Sequence, residues 1–137
     1  MSRTIAFDLG TTYGWADDKG SGYGMINRDK RVFSFYNFVL DKLFTKREGL
    51  PYTTIAFEDA KFQLGNAIYP FNAQKAVLQL VAESQNLEFI GYSPMTIKKI
   101  FTGKGNATKD DMLKKAGVQN HNEADAIAVL FTHNKSK

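Results

Sequence analysis

The chain opens on a short apolar and β-branched run, Thr4 to Leu9, closed by Gly10-Thr11-Thr12. Tyr13-Gly14-Trp15-Ala16 is a second such run, and Asp17-Asp18-Lys19-Gly20-Ser21-Gly22 is rich in turn-forming residues. The pattern predicts a hairpin with strands over residues 13–17 and 23–27. From Arg31 to Glu48 the period changes: Val32, Phe35, Val39 and Leu43 recur at helical spacing, and Gly49 and Pro51 end the segment. Thr53 to Phe57 reads as a central strand, while Gly65 and Pro70 mark a loop. Residues 71–86 predict a helix with Ala73, Val77, Leu80 and Val81 on its apolar face, and residues 87–92 a strand ended by Ser93-Pro94. A short helix follows over 96–101, then a flexible link at Gly103 and Gly105. Thr108 is placed to cap a helix over 109–116, with Asp110 and Asp111 in its first turn and Gly117 at its end. Asn122 is placed to cap a last helix over 123–133, whose apolar face carries Ile127, Ala128 and Phe131.

This order predicts an α/β fold in a single domain over residues 1–137: a five-stranded mixed sheet, led by an antiparallel hairpin and completed by parallel strands, with helices on both faces. In such sheets ligands gather beyond the carboxyl ends of strands. Composition adds a few bounds. An apolar content of 43% and an aromatic content of 13% argue against disorder. The lack of cysteine excludes a disulfide framework and a thiolate metal site. No apolar run reaches the ~18 residues of a membrane span, and the first residues lack the apolar core of a signal peptide. The expectation is a soluble, cytoplasmic protein without a membrane partner, in which the glycosylation triplet Asn106-Ala107-Thr108 is a chance match.

Three carboxylates stand at the ends of apolar runs far apart in sequence: Asp8 and Glu58 at strand ends, and Asp125 in the first turn of the last helix. Taken singly, a strand-end acid is ordinarily solvated, and an acid in a first helical turn complements the helix dipole. If the fold brings the three together, their charges need a compensating cation, and hard oxygen donors favour Mg²⁺ or Mn²⁺. Two such ions about 4 Å apart serve phosphodiester hydrolysis by activating water and stabilising the charge on both oxygens. Asp8 is the natural bridge between two ions, with Glu58 and Asp125 each favouring one. Asp59, next to Glu58, should face the other side of its strand, and Asp17 and Asp18 belong to a turn. The formal charge of +4 matters through placement: Lys98, Lys99, Lys104, Lys109, Lys114 and Lys115 crowd one stretch. They read either as a solvated surface or, beside an acidic site, as phosphate contacts. Lys61 and Phe62 follow the Glu58 strand, where the ring either packs beneath its loop or stacks on an unpaired base. Tyr13 and Trp15 read as core, and His133 as a surface residue near the tail.

Four segments carry a resemblance to a known family. Ile5-Ala6-Phe7-Asp8-Leu9-Gly10 with Tyr13-Gly14-Trp15-Ala16, Ile55-Ala56-Phe57-Glu58, Tyr92-Ser93-Pro94 through Lys98 and Gly103-Lys104-Gly105-Asn106-Ala107-Thr108-Lys109, and Asn122-Glu123-Ala124-Asp125-Ala126-Ile127-Ala128-Val129 resemble, in order, the motifs of the RuvC-family Holliday-junction resolvases. That family lies within the RNase H-like (retroviral-integrase) superfamily. The resemblance implies an RNase H-like fold and structure-selective cleavage of four-way DNA junctions by a Mg²⁺-dependent homodimer. It puts Asp8, Glu58 and Asp125 on metal-ligand positions, and Lys98 and Lys109 on basic positions that serve the active site or the DNA backbone. It implies that residues 71–86 form the dimer contact, although an ordinary core helix would look the same. The family often has a fourth acid three residues before the last aspartate. That position is Asn122 here, which is taken as a weaker neutral metal ligand, with Glu123 or His121 as the alternative substitutes. The small size and the missing acid would suit a bacteriophage or other viral version. Alternatives are an RNase H-like nuclease for RNA–DNA hybrids or flaps, and a non-catalytic junction-binding module. Asp8-Leu9-Gly10-Thr11-Thr12 also resembles the first phosphate loop of actin- and Hsp70-like ATPases, but no second glycine-rich phosphate loop accompanies it.

Overall fold

The computed structural model describes residues 2–26, 29–60 and 68–137. Five strands, β1 (Thr4–Asp8), β2 (Thr12–Asp17), β3 (Gly20–Met25), β4 (Thr54–Glu58) and β5 (Glu88–Tyr92), form one sheet in the order β3-β2-β1-β4-β5. The β1-β2 and β2-β3 pairs are antiparallel, and β1-β4 and β4-β5 are parallel. The hairpin turns tightly because Asp17 Oδ1 accepts hydrogen bonds from the backbone N–H groups of Lys19 and Gly20 at 2.8 and 3.0 Å.

Helix α1 (Arg31–Leu40) runs on into a π-helical turn, Asp41–Thr45. Phe35, Val39 and Leu43, the stripe read from the sequence, are buried. Helix α2 (Ile68–Gln85) starts earlier than predicted, so Pro70 lies in its first turn, where the missing N–H has no intrahelical acceptor to lose. Its buried stripe is Phe71, Gln74, Val77, Leu78, Val81 and Ala82, whereas Leu80 points outward at 63% exposure. Helix α3 (Pro94–Thr102) is capped by Ser93 with Pro94 in its first turn, and α4 (Lys109–Ala116) starts on a reciprocal capping box between Thr108 and Asp111. The last helix, α5 (His121–Lys135), is capped by Asn120 rather than Asn122. Asn120 Oδ1 accepts from the N–H groups of Asn122 and Glu123, so helical geometry begins two residues before the sequence suggested.

The strands alternate large and small residues, and the two faces differ accordingly. Ile5, Phe7, Ile55 and Phe57 pack with Phe35, Val39, Phe71 and Leu78 of α1 and α2. Ala6 and Ala56, paired in register, lie on the opposite face with Ile97, Phe101, Ala128 and Val129 of α3 and α5. Their small side chains let α5 lie close against β1 and β2.

Candidate active site

The alternation that sends Phe7 and Phe57 to one face sends Asp8 and Glu58 to the other, beyond Ala6 and Ala56. The parallel register pairs Phe7 with Phe57, so the two acids are adjacent at the ends of neighbouring strands. On the other side of Asp8 its partner in β2 is Gly14. A Cβ at Gly14 would stand 1.9 Å from the carbonyl oxygen of Asn122, so the bare backbone there is what allows the first turn of α5 to dock on β2. Asp125 sits one turn further along, in the second helical turn rather than the first. The outcome is a single anionic cluster: oxygens of Asp8, Glu58 and Asp125 all lie within 4.8 Å of one another.

Asp8 is buried, Glu58 and Asp125 are partly buried, and each resists ionisation. Burial raises the Asp8 carboxyl well above the ordinary range, and the charges of Glu58 and Asp125 push it further. Burial also raises Glu58, partly offset by its hydrogen bond with Asp8 and by the nearby Lys98. Asp125 is pushed up to about 7, mainly by burial and then by Glu58, with Lys98 and Lys109 opposing the shift. The donor set consists of hard carboxylate oxygens whose mutual repulsion a divalent cation would remove, so these residues fit Mg²⁺ or Mn²⁺.

The other sequence-predicted residues divide. Lys98 on α3 and Lys109 at the start of α4 act electrostatically on the cluster. Thr102, Lys104, Asp111, Lys114 and Lys115 line a separate shallow cavity of about 350 Å³, and Lys99 is exposed. Lys61 and Phe62 lie outside the described residues. Asn122 is one turn before Asp125 on the same helical face. Glu123 is turned to the hairpin, where its Oε2 accepts a 2.6 Å hydrogen bond from Ser21 Oγ, and His121 is exposed. Asp59 pairs with Lys75 of α2 at 3.3 Å. His133 corrects the surface assignment: it is 4% exposed, because Tyr92 and Glu88 of β5 flank its ring, with Nδ1 2.7 Å from the Tyr92 hydroxyl and Nε2 4.0 Å from Glu88.

Two features went unread in the sequence. Gly14 inside a strand was a usable signal of close backbone approach. Gln74, buried in the apolar stripe of α2, bonds to both backbone groups of Gly10, just after Asp8.

Comparison with known proteins places these features in context. No protein-family model matches the chain. It is 30% identical over 122 residues to the crossover junction endodeoxyribonuclease RuvC of Chloroherpeton thalassium, an alignment covering 72% of this chain and 66% of that one. It is 37% identical over 68 residues to the RuvC of Rickettsia rickettsii, covering 44% of this chain and 43% of the relative. The chain therefore spans slightly under two thirds of the first relative and under half of the second. Solved structures of Thermus thermophilus RuvC, one of them in complex with a Holliday junction substrate, superpose with a TM-score of 0.76 each at 22% and 20% identity. These matches cover 96% and 98% of this chain and 93% of each RuvC chain. The structural likeness shows a shared fold, and the sequence likeness, over most of this chain, is to RuvC-family crossover junction endodeoxyribonucleases.

Proposed function

We propose that this protein is a metal-dependent endodeoxyribonuclease that cuts four-way DNA junctions by phosphodiester hydrolysis. The observation that carries the proposal is the convergence of Asp8, Glu58 and Asp125, 50 and 67 residues apart in sequence, with no counter-cation in direct contact among the described residues. The names of the relatives and the junction-bound Thermus RuvC support the choice of substrate.

Asp8, Glu58 and Asp125 are assigned as ligands for Mg²⁺, with Mn²⁺ as a substitute and two ions per site, and Asn122 as a neutral oxygen donor on the Asp125 face of α5. When bound, the ions supply Lewis acidity toward the scissile phosphate and its attacking water. Asp8 holds the centre because its strand end lies between Glu58 and the docked helix. Lys98 and Lys109 bring positive charge to the rim of the acidic cluster, where it favours the approach of a phosphate and the charge that builds on it. Lys99, Lys104, Lys114 and Lys115 extend this cationic surface along the DNA backbone.

A four-way junction has two-fold symmetry, so paired cuts call for two sites related by the same symmetry. We assign the outer face of α2 to a homodimer contact: Tyr69, Ala76 and Leu80 fall on one exposed stripe. The test is incubation with a synthetic four-way junction and Mg²⁺, beside linear duplex, flap and RNA–DNA hybrid controls. The expected result is symmetric nicking of the junction alone. Equal cutting of linear duplex, or no cutting of the junction, overturns the proposal. Light scattering of the free protein checks the dimer.

A further inference from the structure

Helix α2 supplies most of the apolar cover on the face of the sheet away from the acidic cluster, yet one of its buried positions is polar. Gln74 occupies the stripe between Phe71 and Leu78 and is 2% exposed. Its carboxamide is satisfied by a single residue: Oε1 accepts from the Gly10 N–H at 2.7 Å, and Nε2 donates to the Gly10 carbonyl at 2.8 Å. A side-chain amide thus reads a backbone residue as a neighbouring strand would, with one donor and one acceptor used at once. Gly10 follows Asp8 by two residues, and the next residue is held from the other side, where the Ile26 N–H donates to the Thr11 carbonyl at 3.0 Å. Leu9 between them is buried in the α1–α2 core. The exit of β1 is therefore fixed at three consecutive residues.

We propose that Gln74 is a positioning residue for the carboxylate cluster, clamping the Gly10 backbone so that Asp8 stays against Glu58 and Asp125 in the geometry that captures a divalent ion. The need for a clamp follows from the cluster. Three acids within 4.8 Å of one another repel when ionised, and the simplest relief is for the strand end to swing Asp8 outward. Gly10 offers no side chain to anchor, so only its backbone can be held. Gln74 is the residue of α2 that reaches it, and its apolar neighbours exclude the water that would compete for both bonds. Gln74 does not touch the reacting atoms; it acts through Gly10. The inference rests on the proposed metal site but not on the DNA substrate.

The test uses the full chain without DNA. Mn²⁺ binding is measured by calorimetry, and amide hydrogen exchange is followed residue by residue. In Gln74→Leu, Mn²⁺ binding is expected to weaken at least about tenfold, and exchange of the Gly10 amide to quicken by about the same factor, while amides of β5 exchange as in the wild type. A role confined to general stability would quicken exchange throughout and leave Mn²⁺ affinity within twofold below the melting point, and that result overturns the proposal. Should Gln74→Leu fail to fold, Gln74→Met keeps the length and the apolar packing but can neither accept from the Gly10 N–H nor donate to the Gly10 carbonyl. Weakened Mn²⁺ binding in that variant supports the clamp, and wild-type affinity overturns it. A wild-type protein that binds Mn²⁺ but does not cut a junction would sink the nuclease assignment and leave the clamp standing.

Discussion

Both ends of the sheet bury carboxylates, and they treat them in opposite ways. At the end where β1 begins and β2 finishes, Asp17 is buried beside Arg3, whose guanidinium lies 3.5 Å away and also donates to Asp18 at 2.7 Å and to the Leu50 carbonyl at 2.6 Å. The Tyr52 hydroxyl bonds to Asp17, and the Arg3 guanidinium stacks over the Tyr52 ring. Here charge is matched by charge: the hydrogen bond from Arg3 lowers the Asp18 carboxyl, while burial and then the bond to Asp17 raise the Tyr52 phenol. At the far end, Asp8, Glu58 and Asp125 face one another without such a partner among the described residues, and all three are raised. One network is matched in charge within the fold. The other has no matching cation in direct contact among the described residues, and that difference is what supports the proposed metal site.

The sharpest way to break this comparison is to remove a charge at the unmatched end. Asp8→Asn is expected to lower junction cleavage by at least about 1,000-fold, since the residue proposed as the central oxygen ligand is lost. Binding of uncut junction in a gel-shift assay should stay equal or tighten, because repulsion of phosphate falls. Wild-type cleavage by this variant would refute the assignment.

The opposite manipulation at the matched end should cost stability and not chemistry. Arg3→Met leaves Asp17 buried without its cation and is expected to destabilise the fold by about 3 kcal/mol in chemical denaturation. Mn²⁺ affinity below the melting point should be unchanged. A loss of metal binding equal to that of Asp8→Asn would erase the distinction between the two ends.

A pH series sharpens it further. Asp125 ionises near 3.8 when unfolded and at about 7 in the fold, so between those values the folded state holds more protons. Its contribution to the ion-free protein is therefore stabilising at low pH and fades as pH rises from about 4 through about 7. The expected drop in melting temperature over that range is about 5 °C or more, and Mg²⁺ should restore it at pH 8 by binding the ionised carboxylates. Asp125→Asn should lessen the dependence, with the part that remains coming from the raised Asp8 and Glu58. Asp18 works in the other direction, its contribution being lost as pH falls below the ordinary carboxylate range.

The smallest effect is expected at the rim. Lys109→Ala should slow cleavage about tenfold while leaving junction binding within about twofold, if the cation acts on charge that develops during reaction. An equal fall in both would make Lys109 a backbone contact, and its binding share should then fade with added salt.

The sequence by itself determined the strands and the faces on which their side chains lie. Ile5-Ala6-Phe7-Asp8 and Ile55-Ala56-Phe57-Glu58 repeat one alternation, and period two alone puts each acid on the face of the small alanines. It also determined α4, whose Thr108 and Asp111 cap is local and whose Gly117 ends it in the left-handed region. What it left open was decided between elements far apart. Asn120 and Asn122 are equally good caps locally, and only the docking of Asn122 on the bare backbone of Gly14 goes with the earlier start. Leu80 fits an apolar helical stripe as well as Leu78 does, but the sheet covers only one side of α2. His133 and Gln74 look like surface residues until Tyr92 and Gly10 meet them. Periodicity and capping are properties of a few neighbouring residues and can be read from their order. Which polar group meets which across 41 or 64 residues depends on how packed layers sit on one another, and that exists only in the folded chain.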